Sequence, residues 1–253
     1  PSLLPGHRII AHYGTGITPA LGVLGEGSPD EATTRLLDAT AAVDEFGLPT
    51  IPAFEFIVTV AQARPGPDGL YTYAWPAADV QPYLDRMRAH DGIVVLDFQP
   101  GRQPFIDQVR AYEELLMQPD VHLALDPEWS MRPDGVPGRV IGHTDASVVN
   151  EVLAYVEHLV VTHGLPQKLV IVHQFQAAMV RDRDDIIDPP GVAVMFHVDG
   201  QGPVGSKYET YGQLFVEPPF FNGFKVFFDE DSRVMTPTEV VELDPSPVYV
   251  SYQ

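Results

Sequence analysis

Eight short, almost uninterrupted apolar runs alternate with helix-like segments from one end of this chain to the other. That alternation limits the folds open to it. The runs are HRIIAHY (His7–Tyr13), TIPAFEF (Thr50–Phe56), IVVLDFQ (Ile93–Gln99), Val121–Asp126, KLVIVHQ (Lys168–Gln174), VAVMFHV (Val192–Val198), Gly223–Phe228 and PVYVSY (Pro247–Tyr252). Strands buried on both faces of a parallel sheet read in this continuous way, whereas half-exposed strands alternate apolar with polar. Ser28-Pro29-Asp30-Glu31 and Thr236-Pro237-Thr238-Glu239 both look like helix starts. In each, a hydroxyl can cap the first turn, Pro fits the first helical position and Glu follows three residues after the cap. The spacing predicts helices from Ser28 to near Gly47, over 77–90, from near Pro104 to Leu116 and from a Thr144 cap to about His163. A short helical stretch is expected between the fifth and sixth runs, and a final short helix after Thr236.

This count in 253 residues is that of one (β/α)8 barrel of the TIM type, an α/β fold spanning residues 1–253. A doubly wound open sheet is the competitor. Gly14-Thr15-Gly16 after the first run does not complete the G-x-G-x-x-G turn expected there, which leaves the barrel.

Charge narrows the partners. The chain carries 35 acidic against 15 basic residues, a net charge of −20, and its three lysines (Lys168, Lys207, Lys225) are scattered. Nucleic acid and anionic lipid both demand clustered Lys and Arg, so neither is an expected partner. A neutral polysaccharide or a small molecule suits this surface. With no cysteine, thiol catalysis and thiolate metal sites are excluded. No apolar run approaches the ~18 residues of a membrane span. The chain also lacks a Gly-x-Ser-x-Gly elbow and a Walker A loop.

In a barrel of this kind the active site forms where the strands end, so polar residues there carry information. The first run ends in His12 and Tyr13, and the second carries Glu55. The third ends in Asp97, Gln99 and Arg102, the fourth in Asp126, Glu128 and Trp129. The fifth ends in His173 and Gln174, the sixth in His197 and Asp199, and the seventh carries Lys225. Residues i and i+2 of a strand point the same way, about 6.5–7 Å apart. Asp126 and Glu128 therefore share a face if the strand persists through Pro127. Two carboxylates so placed split their pKa values, leaving a proton donor beside a charged stabiliser, as glycoside cleavage requires. Glu128 and Asp126 are the first candidates, with Glu55, Asp97 or Asp199 as a second carboxylate. Trp75, Trp129, Tyr71 and Tyr73 can offer stacking faces for sugars. His12, Tyr13, Gln99, Arg102, His173, Gln174, His197 and Lys225 complete the expected substrate-binding rim, with Asp97–Arg102 as a possible structural clamp.

Asp126-Pro127-Glu128 on the fourth strand resembles the D-x-E arrangement of family 18 chitinases and family 25 lysozymes, in which Glu is the general acid and Asp assists it. Asp199 falls where family 25 lysozymes place a carboxylate. The longer D-x-x-D-x-D-x-E run of the chitinases is missing, since residues 121–124 are Val, His, Leu and Ala. ALDPEWSM (124–131), VPGRVIG (136–142), LPQKLVIVHQF (165–175), FHVDG (196–200) and FFNGFKVFF (220–228) resemble a family of actinobacterial exported proteins and lipoproteins. That resemblance covers most of the chain. It implies a secreted or cell-envelope setting and carbohydrate chemistry on a barrel.

The expected activity is thus a glycosidase acting on a neutral polysaccharide or cell-wall glycan, with no cofactor and no metal. Two alternatives stand beside it. One is a metal-dependent hydrolase built on His12, His173 and His197 with Asp126, Asp199 or Asp229. The other is a non-catalytic glycan-binding barrel.

Overall fold

The computed structural model describes residues 2–253. Eight parallel strands form the barrel: β1 (Arg8–Gly14), β2 (Thr50–Ala61), β3 (Ile93–Phe98), β4 (Val121–Leu125), β5 (Lys168–Gln174), β6 (Val192–Val198), β7 (Phe221–Val226) and β8 (Tyr249–Tyr252). Each pairs with the next in sequence, and β8 pairs back onto β1, which closes the ring. Around it lie α1 (Pro29–Ala41), α2 (Gln81–Arg88), α3 (Phe105–Ala111), α4 (Glu113–Leu116), α5 (Ala146–His163), α6 (Val204–Leu214) and α7 (Pro237–Val241). No helix among the described residues is long and apolar enough to cross a membrane.

Both expected capping boxes form. Ser28 accepts from the Glu31 N–H while Glu31 accepts from the Ser28 N–H, and Thr236 and Glu239 repeat the exchange. Other boundaries differ from the sequence reading. Strand β2 runs on to Ala61 because Thr72–Ala74 pairs antiparallel along its end. Thr144 does not cap α5; it pairs with Val180 in a two-residue bridge, and Asp145 takes the cap position. Two single 3-10 turns, Ala177–Met179 and Arg183–Asp185, and the two-residue strand Val180–Arg181 separate β5 from β6. Helix α6 was not expected, since glycines at 205 and 212 and few apolar residues hide its periodicity.

Side chains sort by parity into two cores. Ile10, Phe54, Leu96, Leu123, Val170, Val194 and Val250 face outward and pack beneath the helices. Ile9, Ala11, Ala53, Val95, Ala124, Ile171, Ala193 and Tyr249 fill the lumen. Small residues recur on this inner face, leaving room for larger polar groups one step toward the C-terminal rim. On β7 the small residue is Gly223, and His197 of β6 leans over it. A Cβ at 223 would sit 2.5 Å from His197 Nδ1. Gly223→Ala should therefore lower stability by about 1–3 kcal/mol through overpacking. Urea unfolding measures this, and an unchanged midpoint would show that the ring moves freely.

Candidate active site

The lumen's polar floor is built by the inward parity of successive strands. Ala11 is followed at i+2 by Tyr13, Ala53 by Glu55, Val95 by Asp97, Ile171 by His173, Met195 by His197 and Gly223 by Lys225. All six polar residues are buried. His173 lies at the centre. Its Nε2 is 2.7 Å from Glu55 Oε1 and its Nδ1 is 2.9 Å from Asp199 Oδ2. Tyr249 donates to the other Glu55 oxygen at 2.9 Å. Since carboxylates only accept, a proton on each nitrogen satisfies both contacts and makes the ring an imidazolium. Burial alone would push His173 down, but Glu55 and Asp199 outweigh it and hold it well above its ordinary value. Burial likewise works against Glu55 and Asp199 as anions, yet His173 holds both below the usual carboxylate range.

The other three carboxyls lack such a partner. Asp97 accepts from Tyr13 Oη at 2.9 Å, and its Oδ1 has no partner. Burial, reinforced by Glu55 and opposed by His173, pushes it up to about 7. Burial and then the like charge of Glu128 push Asp126 well above its ordinary value. Burial and then Asp199 push Glu128 up to about 7. One fold thus places five carboxyl groups in two opposite electrostatic states.

Strand β4 ends at Leu125, so the expectation that Asp126 and Glu128 share a strand face is corrected. Pro127 has no N–H for the ladder, and Pro127–Trp129 turns as a 3-10 helix. Asp126 keeps the lumen parity of Ala124, and the turn carries Glu128 onward. Both still line one cavity of about 370 Å³ with Asp199 and Lys225, flanked by Phe175 and Phe227. Gln201, Thr210 and Gln253 complete its polar wall.

Several expected rim residues lie elsewhere. His12 has the outward parity of Ile10 and packs edge-on to Tyr252 with ring centroids 6.2 Å apart. Burial and then Arg35 lower its pKa to about 4. Gln174 also faces outward, donating to the Gln176 and Ala177 carbonyls. Arg102 does not clamp Asp97: it donates to the Gly135 carbonyl and lies 4.1 Å over the Tyr71 ring. Trp75 packs against the Tyr13 cluster and stacks edge-on with Tyr73 at 4.8 Å. Trp129 is half-buried on the turn and does not line the cavity. Gln99 is in the lumen, donating to Tyr13 Oη at 3.3 Å and accepting from Ala61 N at 3.1 Å.

Phe175, Phe227 and Thr210 were not singled out as site residues from the sequence, nor were the lumen residues Tyr249 and Ser251. Lys207 of α6 was also passed over. Its Nζ donates to the Gly200 and Lys225 carbonyls, both at 2.9 Å, and to Asp231 Oδ1 at 3.0 Å. It thereby ties together two stretches of chain beside the cavity.

The three-histidine metal site is not assembled, because His12 lies outside the barrel wall. His197 faces the lumen but holds Ser251 Oγ at 2.7 Å, and burial and then His173 push it well below its ordinary pKa. Glu55, Asp97 and His173 do present ligand-type atoms within 4.8 Å of one another. A cation there would have to displace the His173 proton shared with Glu55. Neither a scan against family models nor a search of curated proteins finds a match to this chain.

The titrations have opposite signs for stability. Asp97, Asp126 and Glu128 keep protons that the unfolded chain releases from about pH 4, so they make stability fall as pH rises through the neutral range. Glu55 and Asp199 stabilise above about pH 4, and that contribution is lost as pH falls through their lowered values. His173 contributes fully below about pH 6.5 and loses this only at higher pH, through its raised value. Together these six groups favour pH 5 over pH 8, while His12 and His197, kept neutral in the folded chain by their lowered values, act the other way below about pH 6.5. Asp126→Asn should raise stability at both pH values and by more at pH 8 than at pH 5, because the unfolded Asp is ionised at both while the folded one gives up its proton only at higher pH. Urea unfolding at the two pH values tests this, and an equal effect at both would contradict it.

Proposed function

We propose that this chain hydrolyses glycosidic bonds, with Glu128 as general acid/base and Asp199 as the ionised second carboxylate. One observation carries the reading: two carboxyl groups facing one cavity are held in opposite states. Glu128 is raised to about 7 by burial and by Asp199. Asp199, despite its burial, is kept low by His173. Titratable groups pushed apart in this way mark an acid and its charged companion.

In the proposed reaction, protonated Glu128 gives its proton to the glycosidic oxygen as the C–O bond breaks. Asp199 faces the positive charge that develops on the sugar ring. Glu128, now ionised, takes a proton from the water that completes hydrolysis. Asp126, kept protonated by burial, lines the same cavity without adding a further anion to it. Glu55 and Asp97 support from below, through His173 and Tyr13. Phe175 and Phe227 offer apolar surface to the C–H face of a sugar. The resemblance of Asp126-Pro127-Glu128 to glycosidase D-x-E motifs supports this assignment. The net charge of −20 favours a neutral polysaccharide or cell-wall glycan as substrate, and the resemblance to exported actinobacterial proteins supports a substrate met outside the cell.

Sugar release from a panel of cell-wall and plant polysaccharides tests the proposal. Glu128→Gln should lower kcat by about 10²–10⁴-fold, as removal of a general acid does. For the native chain, kcat/KM should fall above about pH 7 as Glu128 loses its proton, and again in acid as Asp199 gains one. Full turnover by the Gln variant would remove Glu128 from the mechanism.

A further inference from the structure

We infer that Lys225 recognises a carboxylate on the bound ligand, so that the sugar unit seated in the cavity is a uronic acid within an otherwise neutral glycan. The identification of the ligand as a sugar rests on the glycosidase reading; the recognition of an anion rests on Lys225 itself. Its side chain lines the cavity although the residue is only 3% exposed. Five carboxyl groups share this part of the barrel, yet Lys225 Nζ makes no hydrogen bond or ion pair with any described residue. Instead it sits 3.3 Å from the centroid of the Tyr13 ring and 5.2 Å from that of Phe227. Both ionised carboxylates of the floor, Glu55 and Asp199, are held by His173, and the unpartnered Asp199 Oδ1 is out of contact with Lys225. Lys225 is therefore a buried ammonium with three donors and no acceptor, next to open space.

A buried cation is costly unless paired and hydrogen-bonded. The π-face below it gives partial compensation and blocks one side. Its donors are left for whatever enters the cavity. The mount is rigid: Tyr13 is fixed through its hydroxyl to Asp97, and Lys207 holds the Lys225 carbonyl. Gln201, Thr210 and Gln253 supply neutral groups for hydroxyls around the same space. The net charge of −20 opposes a long polyanion, which points to isolated acidic units rather than a polyuronate.

The test is equilibrium binding of D-galacturonate and D-glucuronate to the full chain, against galactose and glucose, by NMR titration near pH 6. One charge-assisted contact at Lys225 should favour each uronate over its neutral counterpart by about tenfold or more. Lys225→Met should abolish the preference and Lys225→Arg should keep part of it. Lys225→Gln serves as a second neutral variant should the Met form fold poorly. Equal binding of acidic and neutral sugars by the native chain, no binding of either, or a preference that survives in both neutral variants would overturn the inference. The measurement needs no turnover. A chain that hydrolyses nothing but binds uronates through Lys225 loses the glycosidase reading alone, while hydrolysis of neutral oligosaccharides without uronate preference loses this one alone.

Discussion

The His173 imidazolium, held between Glu55 and Asp199 inside a closed barrel, is the interaction on which the rest of the site depends. It joins β2, β5 and the end of β6 across the lumen, and Tyr249 extends it to β8. Ions this deeply buried are tolerated only when their remaining hydrogen-bonding capacity is met. Here both ring nitrogens and both Glu55 oxygens have partners, and only Asp199 Oδ1, on the cavity side, is left without one. The arrangement also resists slippage. A one-residue shift of β2 would turn Glu55 outward among the apolar contacts of Phe54 and Phe56 and leave His173 facing a hydrophobic wall. The charges thus disfavour the wrong register more than they strengthen the right one.

From that clamp follows the division of the other carboxyl groups. Once Glu55 and Asp199 have claimed the imidazolium, Asp97, Asp126 and Glu128 lie in a low-dielectric space already containing two anions. Burial and like charge then act in the same direction on all three. Lys225 could have offset one of them by direct contact, but it rests on Tyr13 instead. The difference between a proton-holding Glu128 and an ionised Asp199 is therefore a property of position, set by which group reaches His173.

The eight strands were legible because both faces of each are buried, so long apolar runs stand out. The same continuity hid their phase. His12 and Gln174 sit at strand ends, as their sequence positions suggested, but on the outward parity, where a run without alternation gives no warning. A readable signal was present in side-chain size. Ala11, Ala53, Ala124 and Gly223 mark the crowded interior, and the residue two places on (Tyr13, Glu55, Asp126, Lys225) is a lumen group in every case. Helix α6 and its Lys207 were hidden for another reason: their role is to hold loops together, and such contacts between distant segments leave no periodic trace.

Asp126-Pro127-Glu128 shows how a local break in a strand produces the site's chemistry. Had β4 continued, Glu128 would have stood two residues above Asp126 on one wall. Pro127 ends the ladder, and the turn is fixed from beneath by the Gly142 N–H donating to the Glu128 carbonyl at 2.6 Å. Only a residue without a side chain fits there, since a Cβ on Gly142 would meet the carbonyls of Ser130, Glu128 and Pro127 at 2.4, 2.6 and 2.7 Å. The turn leaves Asp126 buried at the lumen side of the cavity and brings Glu128 to its less buried edge. Two adjoining carboxyls consequently differ in solvent access, and the one that can exchange a proton with a ligand is the one the turn has moved outward.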